Sequence, residues 1–182
     1  ELLEISQFLF QRITDANYDF SPVTGEEYIY RGVAKFYKQE FEKYMDQRSG
    51  SGKDTDWSGP EKHFAANQRE VKRRMPFLES YLKETRTVLE LGCSSGFMLS
   101  ALRDKGMEVY GIDPSGGFIE YVKGKGIPVF TGDEEFKRAM SAPLDLIIHY
   151  YVFEHIRHPV ESIQKYMTWV KKGGKMIFEV PC

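Results

Sequence analysis

Cysteine is scarce in this sequence, excess charge is nearly absent, and no long apolar run occurs. The two cysteines, Cys93 and Cys182, cannot build a disulfide framework or a metal site on their own. Their scarcity fits a reducing compartment and makes the cytoplasm the default expectation. Lys and Arg number 25 against 27 for Asp and Glu, a formal net charge of −2, so there is no electrostatic reason to expect nucleic acid as a generic partner. The 4 histidines lack ligand spacing, and no metal is expected. No segment approaches the roughly 18 apolar residues of a membrane-spanning helix. The N-terminus also lacks the basic-then-apolar order of a signal peptide, so no membrane association is expected. A first residue of Glu1 rather than Met reads as a trimmed chain.

What is present is enough apolar sequence to bury a core: 41% of the 182 residues are hydrophobic and 14% aromatic. The expectation is one domain with a helical addition. Residues 1–85 carry helix signals and no strand series. Leu2, Ile5, Leu9 and Ile13 recur at helical spacing, and a second helix is expected over 28–48 with Phe36, Tyr37, Phe41 and Tyr44 on one side. SGSGKDTDWSGP, 49–60, reads as a flexible linker, and a third helix is expected over 61–82. From 86 to 182 the texture changes. RTVLEL, MEVYGID, IPVFTG, LDLIIHYY and GKMIFEV are strand candidates separated by segments long enough for helices. This alternation predicts an α/β fold, an open parallel sheet covered by helices on both faces.

The stretch VLELGCSSGFML, 88–99, joins the first candidate strand to a helix through small residues. In an open parallel sheet that loop lies at the carboxyl edge, where ligands bind. Gly92 and Gly96 can adopt backbone angles closed to other residues, and the amides opening the helix face whatever is bound. Asp113 ends the second strand at the same edge, where a carboxylate can accept from both hydroxyls of a ribose. The pair together points to a nucleoside ligand. A nicotinamide dehydrogenase would carry Gly-x-Gly-x-x-Gly, which this loop does not contain.

With ELGCSSG at 90–96, GID at 111–113, YYVFEHIRHP at 150–159 and VKKGGKMIFEVP at 170–181, the chain resembles the class I S-adenosylmethionine-dependent methyltransferases, nearest their small-molecule and sugar branch. The resemblance covers about 86–182. It implies a Rossmann-like core, S-adenosylmethionine as cofactor with S-adenosylhomocysteine as product, and a small-molecule substrate. It also implies a sheet that stops at five strands where the family usually has seven. Glu90 would orient the loop near the methionine ammonium, with Gly92, Cys93, Ser94, Gly96 and Phe97 along the methionine portion. Asp113 would hold the ribose, Pro114 or Ser115 would lie near the adenine, and Gly132, Asp133 and Glu134 would flank it. Tyr150 and Tyr151 would face the methyl donor and the acceptor. Ser94 departs from the pattern, since the family usually has glycine there.

Methyl transfer is an in-line displacement, so alignment of donor and acceptor is the first requirement, and tyrosine faces favour a sulfonium cation. Tyr150, Tyr151 and Phe153 are candidates for that role, with core packing preferred for Phe153. Tyr151 and His155 are the catalytic candidates. His155 reads either as a general base or as a structural histidine, the second being preferred, and Glu154 reads as structural. His149 and His158 read as surface or turn residues. The cluster Arg69, Lys72, Arg73 and Arg74 reads as a solvated helix face in preference to an anion site. Tyr28, Tyr30, Tyr37 and Trp57 suggest either an acceptor pocket or plain core. A different-class alternative is a methyltransferase-like binding module without turnover.

Overall fold

A computed structural model of the chain describes residues 59–114, 116–156 and 158–180. The helices expected over 1–48, Ser115, and Tyr28, Tyr30, Tyr37 and Trp57 lie outside the described residues. The described elements in chain order are α1 (Pro60–Ala66), α2 (Gln68–Leu82), β1 (Thr87–Leu91), α3 (Phe97–Asp104), β2 (Glu108–Ile112) and α4 (Gly116–Gly124). They continue with β3 (Val129–Phe130), α5 (Asp133–Ala139), β4 (Leu144–Tyr150), a single 3₁₀ turn (Phe153–His155), α6 (Pro159–Met167) and β5 (Val170–Glu179).

The five strands form one parallel sheet in the order β3-β2-β1-β4-β5. Strands β1 and β4 read as near-continuous apolar runs because helices cover both faces of a parallel sheet. Leu89, Ile147, Phe136 and Trp169 fill one side, and Leu78, Val88, Met98, Leu99 and Ile148 the other. Each such side chain, removed from water, contributes about 1.5–3 kcal/mol before conformational entropy is subtracted. The order reverses direction between β1 and β4. Crossovers therefore leave on opposite sides there, and a crevice opens at the carboxyl ends of those strands.

Two local differences from the sequence reading have clear causes. The single helix expected over 61–82 is two helices, because the Asn67 side-chain amide donates to the His63 carbonyl at 2.8 Å and the backbone there leaves the helical range (φ −91, ψ 5). The strand expected at GKMIFEV begins earlier, at Val170, so that the Gly173-Gly174 pair lies inside β5. Gly173 takes φ +83 and the register against β4 shifts between Leu144 and Leu146, so the pair forms an outward excursion of the strand. Among the described residues no helix is long and apolar enough to cross a membrane.

Candidate functional site

At the carboxyl edge a cleft of about 720 Å³ opens, walled by the ends of β1, β2 and β4, by α1 and α2, and by the turn after β4. Its floor is the loop from β1 to α3. Gly92 (φ +67) lies in the left-handed region, and a Cβ there would stand 2.5 Å from the Val152 side chain, so only glycine fits between β1 and the segment after β4. Ser94 also takes a left-handed angle (φ 42), which explains why glycine is usual at its position and marks it as a strained residue in the cleft wall. The strained turn is held by hydrogen bonds. The Gly92 amide donates to the Ile112 carbonyl at 2.7 Å, and the Ser94 amide donates to the Asp113 carboxylate at 2.7 Å. Asp113 thus stabilises the loop and borders the cleft at once.

Glu90, 2% exposed, ends up beside this loop with no hydrogen-bond partner for its Oε2 among the described residues. Burial raises its pKa well above the usual carboxyl value. The Arg74 charge opposes that rise, the Asp113 charge adds to it, and the Leu99 amide opposes it. Arg74 is itself only 6% exposed and lies 3.9 Å over the Tyr150 ring. Its Nε donates to Glu179 at 3.2 Å, and Arg73 donates to the same carboxylate at 2.7 Å and 2.9 Å. The Tyr150 hydroxyl has no partner among the described residues, and burial raises its pKa. Tyr151 is 45% exposed at a left-handed φ of 58, with its amide on the Glu179 carbonyl and its hydroxyl donating to the Glu179 carboxylate. That hydrogen bond, ahead of burial, raises the Tyr151 pKa.

Of the residues singled out in the sequence, Glu90, Gly92, Ser94, Phe97, Asp113, Pro114, Tyr150, Tyr151 and His155 all line this cleft. Four do not. The Cys93 side chain is 1% exposed in the apolar cluster behind the loop, where burial raises its thiol pKa, and Gly96 packs against Val122. Gly132 opens α5, and Asp133 is held by Lys165 at 2.7 Å and the Tyr166 hydroxyl at 3.2 Å, so that segment is bound to α6. Tyr166 lines the cleft instead. His155 is exposed at its mouth, whereas Glu154 is half-buried, its Oε2 without a partner among the described residues and its pKa raised chiefly by burial.

Phe153 is core, as preferred, packed on His149 and Phe178. His149 is not a surface residue: it is 0% exposed, stacked on Phe178 with ring centroids 5.0 Å apart. The basic cluster is not uniformly solvated either, since Arg74 is buried in the cleft wall. Its signal was available, because Val71, Met75, Leu78 and Leu82 set the inward stripe of α2 and position 74 lies on it at three and four residues' spacing. The buried pairing of His63 with Ser95, 2.7 Å apart, had no sequence signal, since it joins residues 32 positions apart. Among the described residues no cluster of three ligating side chains forms a metal site.

A family model described as a methyltransferase domain matches residues 62–182. An uncharacterized methyltransferase of Anoxybacillus flavithermus is 35% identical over 100 residues, covering 53% of this chain and 47% of that protein. The chain spans about half the length of the curated relatives it matches. Among solved structures, the PH0226 protein of Pyrococcus horikoshii OT3 superimposes with a TM-score of 0.51 at 27% identity, over 61% of this chain and 56% of that one. The plantazolicin methyltransferase BamL, solved with a triazolic desmethylPZN analog and SAH, gives 0.51 at 20% identity over 75% of this chain and 56% of that one, a likeness of fold.

Proposed function

We propose that this chain, which belongs to the methyltransferase-domain family, binds S-adenosylmethionine in the cleft at the carboxyl edge of its sheet and transfers the methyl group to a small-molecule acceptor in the cytoplasm. The observation that carries the reading is the pair of buried carboxyl groups, Glu90 and Asp113, closing adjacent parallel strands on either side of a left-handed Gly-Cys-Ser-Ser-Gly turn. Structural neighbours solved with SAH support it.

The residues present fit the cofactor. Its methionine end carries an ammonium and a carboxylate, and the cleft wall carries a group for each: Glu90, whose buried Oε2 has no donor among the described residues and can accept from the ammonium, and the Arg74 guanidinium. Asp113 borders the cleft with its carboxylate anchored on the Ser94 amide, and a carboxylate can accept several hydrogen bonds at once, those of ribose hydroxyls among them. When bound, the cofactor supplies an electrophilic methyl group on a sulfonium. The chain's part is to align the acceptor and exclude water, and the Tyr150 ring, one face of which is covered by the Arg74 guanidinium, forms part of the cleft wall that does so. Tyr151 serves as a hydrogen-bonding wall residue, because its hydroxyl already donates to a carboxylate and gives up its proton less readily for that reason. His155, exposed at the mouth of the cleft, is the candidate to take a proton from the acceptor.

The test is calorimetric titration of the full chain with S-adenosylmethionine and S-adenosylhomocysteine, beside Asp113→Ala. Removing hydrogen bonds to a charged group is expected to weaken binding about ten- to hundredfold. A folded chain that binds neither compound would overturn the reading in favour of a binding module without the methyl donor.

A further inference from the structure

We propose that His63 is a positioning residue for the cofactor loop, and that the second serine of Gly-Cys-Ser-Ser-Gly is there to receive it; the inference rests on the cofactor reading above. His63 stands on α1, in a segment before the Rossmann-like strands, yet it is 1% exposed and its Nδ1 is 2.7 Å from the Ser95 hydroxyl, which is itself 0% exposed. The imidazole lies between Phe97 at the start of α3 and Phe118 of α4, with ring centroids 6.0 and 5.0 Å away. An aromatic slot of this kind fixes the ring plane, so Nδ1 has one direction in which to reach. His63 also borders the cleft, as do its slot partner Phe97 and Ser94, the residue before Ser95.

The loop is thereby gripped from two sides. Asp113 takes the Ser94 amide from the β2 side, and His63 takes the Ser95 hydroxyl from the α1 side. A loop built with glycine at these positions needs no such grip to reach a left-handed turn, whereas Ser94 at φ 42 is strained and its geometry must be imposed by its surroundings. The two serines and His63 therefore form a matched set. Through it the position of α1 is coupled to the shape of the surface that receives the methionine half of the cofactor, and α1 becomes part of the cofactor site although no glycine-loop motif includes it.

The experiment is a double-mutant cycle on S-adenosylhomocysteine affinity, measured by calorimetry on the full chain with His63→Ala, Ser95→Ala and the double variant. A buried partner left unsatisfied disturbs the loop, and each single variant is expected to bind about tenfold more weakly. The double variant is expected to bind no more weakly than the worse single one. His63→Asn, whose side-chain amide occupies the position of Nδ1, should recover most of the loss, which a variant that had merely lost packing would not. It also carries the test with Ser95→Ala should His63→Ala fail to fold. Wild-type affinity in Ser95→Ala, additive losses in the double variant, or no recovery by His63→Asn would each overturn the inference. Failure of the unsubstituted chain to bind would instead overturn the cofactor reading beneath it.

Discussion

Acid should destabilise this protein partly through one histidine outside the cleft. The His149 ring is fully buried on β4 against Phe153 and Phe178, and neither of its nitrogens has a hydrogen-bond partner among the described residues. Burial lowers its pKa from 6.5 to about 4. A histidine with a depressed folded pKa stays neutral in the native protein while the unfolded chain takes up a proton. Its contribution is thus complete above the unfolded value and is lost as pH falls from about 6.5 toward 4. Between about pH 8 and about pH 5 the shift is worth about 2 kcal/mol of stability. His149→Phe keeps a ring that can stack on Phe178 and has nothing to protonate. Urea unfolding of the two proteins at those pH values is expected to show an advantage for the variant that is about 2 kcal/mol larger at the lower pH. Parallel loss of stability in both proteins would refute the reasoning, because every other titrating group is shared.

Two further predictions concern the cleft. Glu90 has a raised folded pKa, so the native protein holds its proton where the unfolded chain has released it, and stability falls as pH rises above the ordinary value of 4.5. Glu90→Gln is therefore expected to raise the thermal midpoint near neutral pH, with the gain vanishing as pH falls to that value, while affinity for S-adenosylhomocysteine drops; a variant no more stable than wild type near neutrality would contradict the assignment. Gly92→Ala forces a Cβ to within 2.5 Å of Val152 at a φ of +67. It should lose about 1–2 kcal/mol from the backbone alone and weaken cofactor binding by moving the turn after β4. Denaturant unfolding and calorimetry read the two effects separately.

The α/β class, the five strands and the two acid-ended strand edges were written in local patterns, because strand runs, turn glycines and terminal carboxylates depend only on neighbours in the chain. Gly92 and Asp113 could be named for that reason, and Glu90 and Tyr150 through the family resemblance. Tertiary structure decided what depended on contacts across the sheet. Asp133 was drawn onto α6 by Lys165, and Cys93 was turned into the core because the space beside Gly111 accepts a thiol. Arg74 left the solvent for the cleft wall because Glu179, 105 residues later, meets it there. His149 sits within the apolar run of β4, which hinted at burial, but its polar ring was read as a surface group; the rings of Phe153 and Phe178 packed against it removed it from water. Local rules set which strand ends carry acids and which turn carries glycine. The charges and rings that face one another across the cleft were set by packing, since a buried charge stays buried only where a partner from another element reaches it.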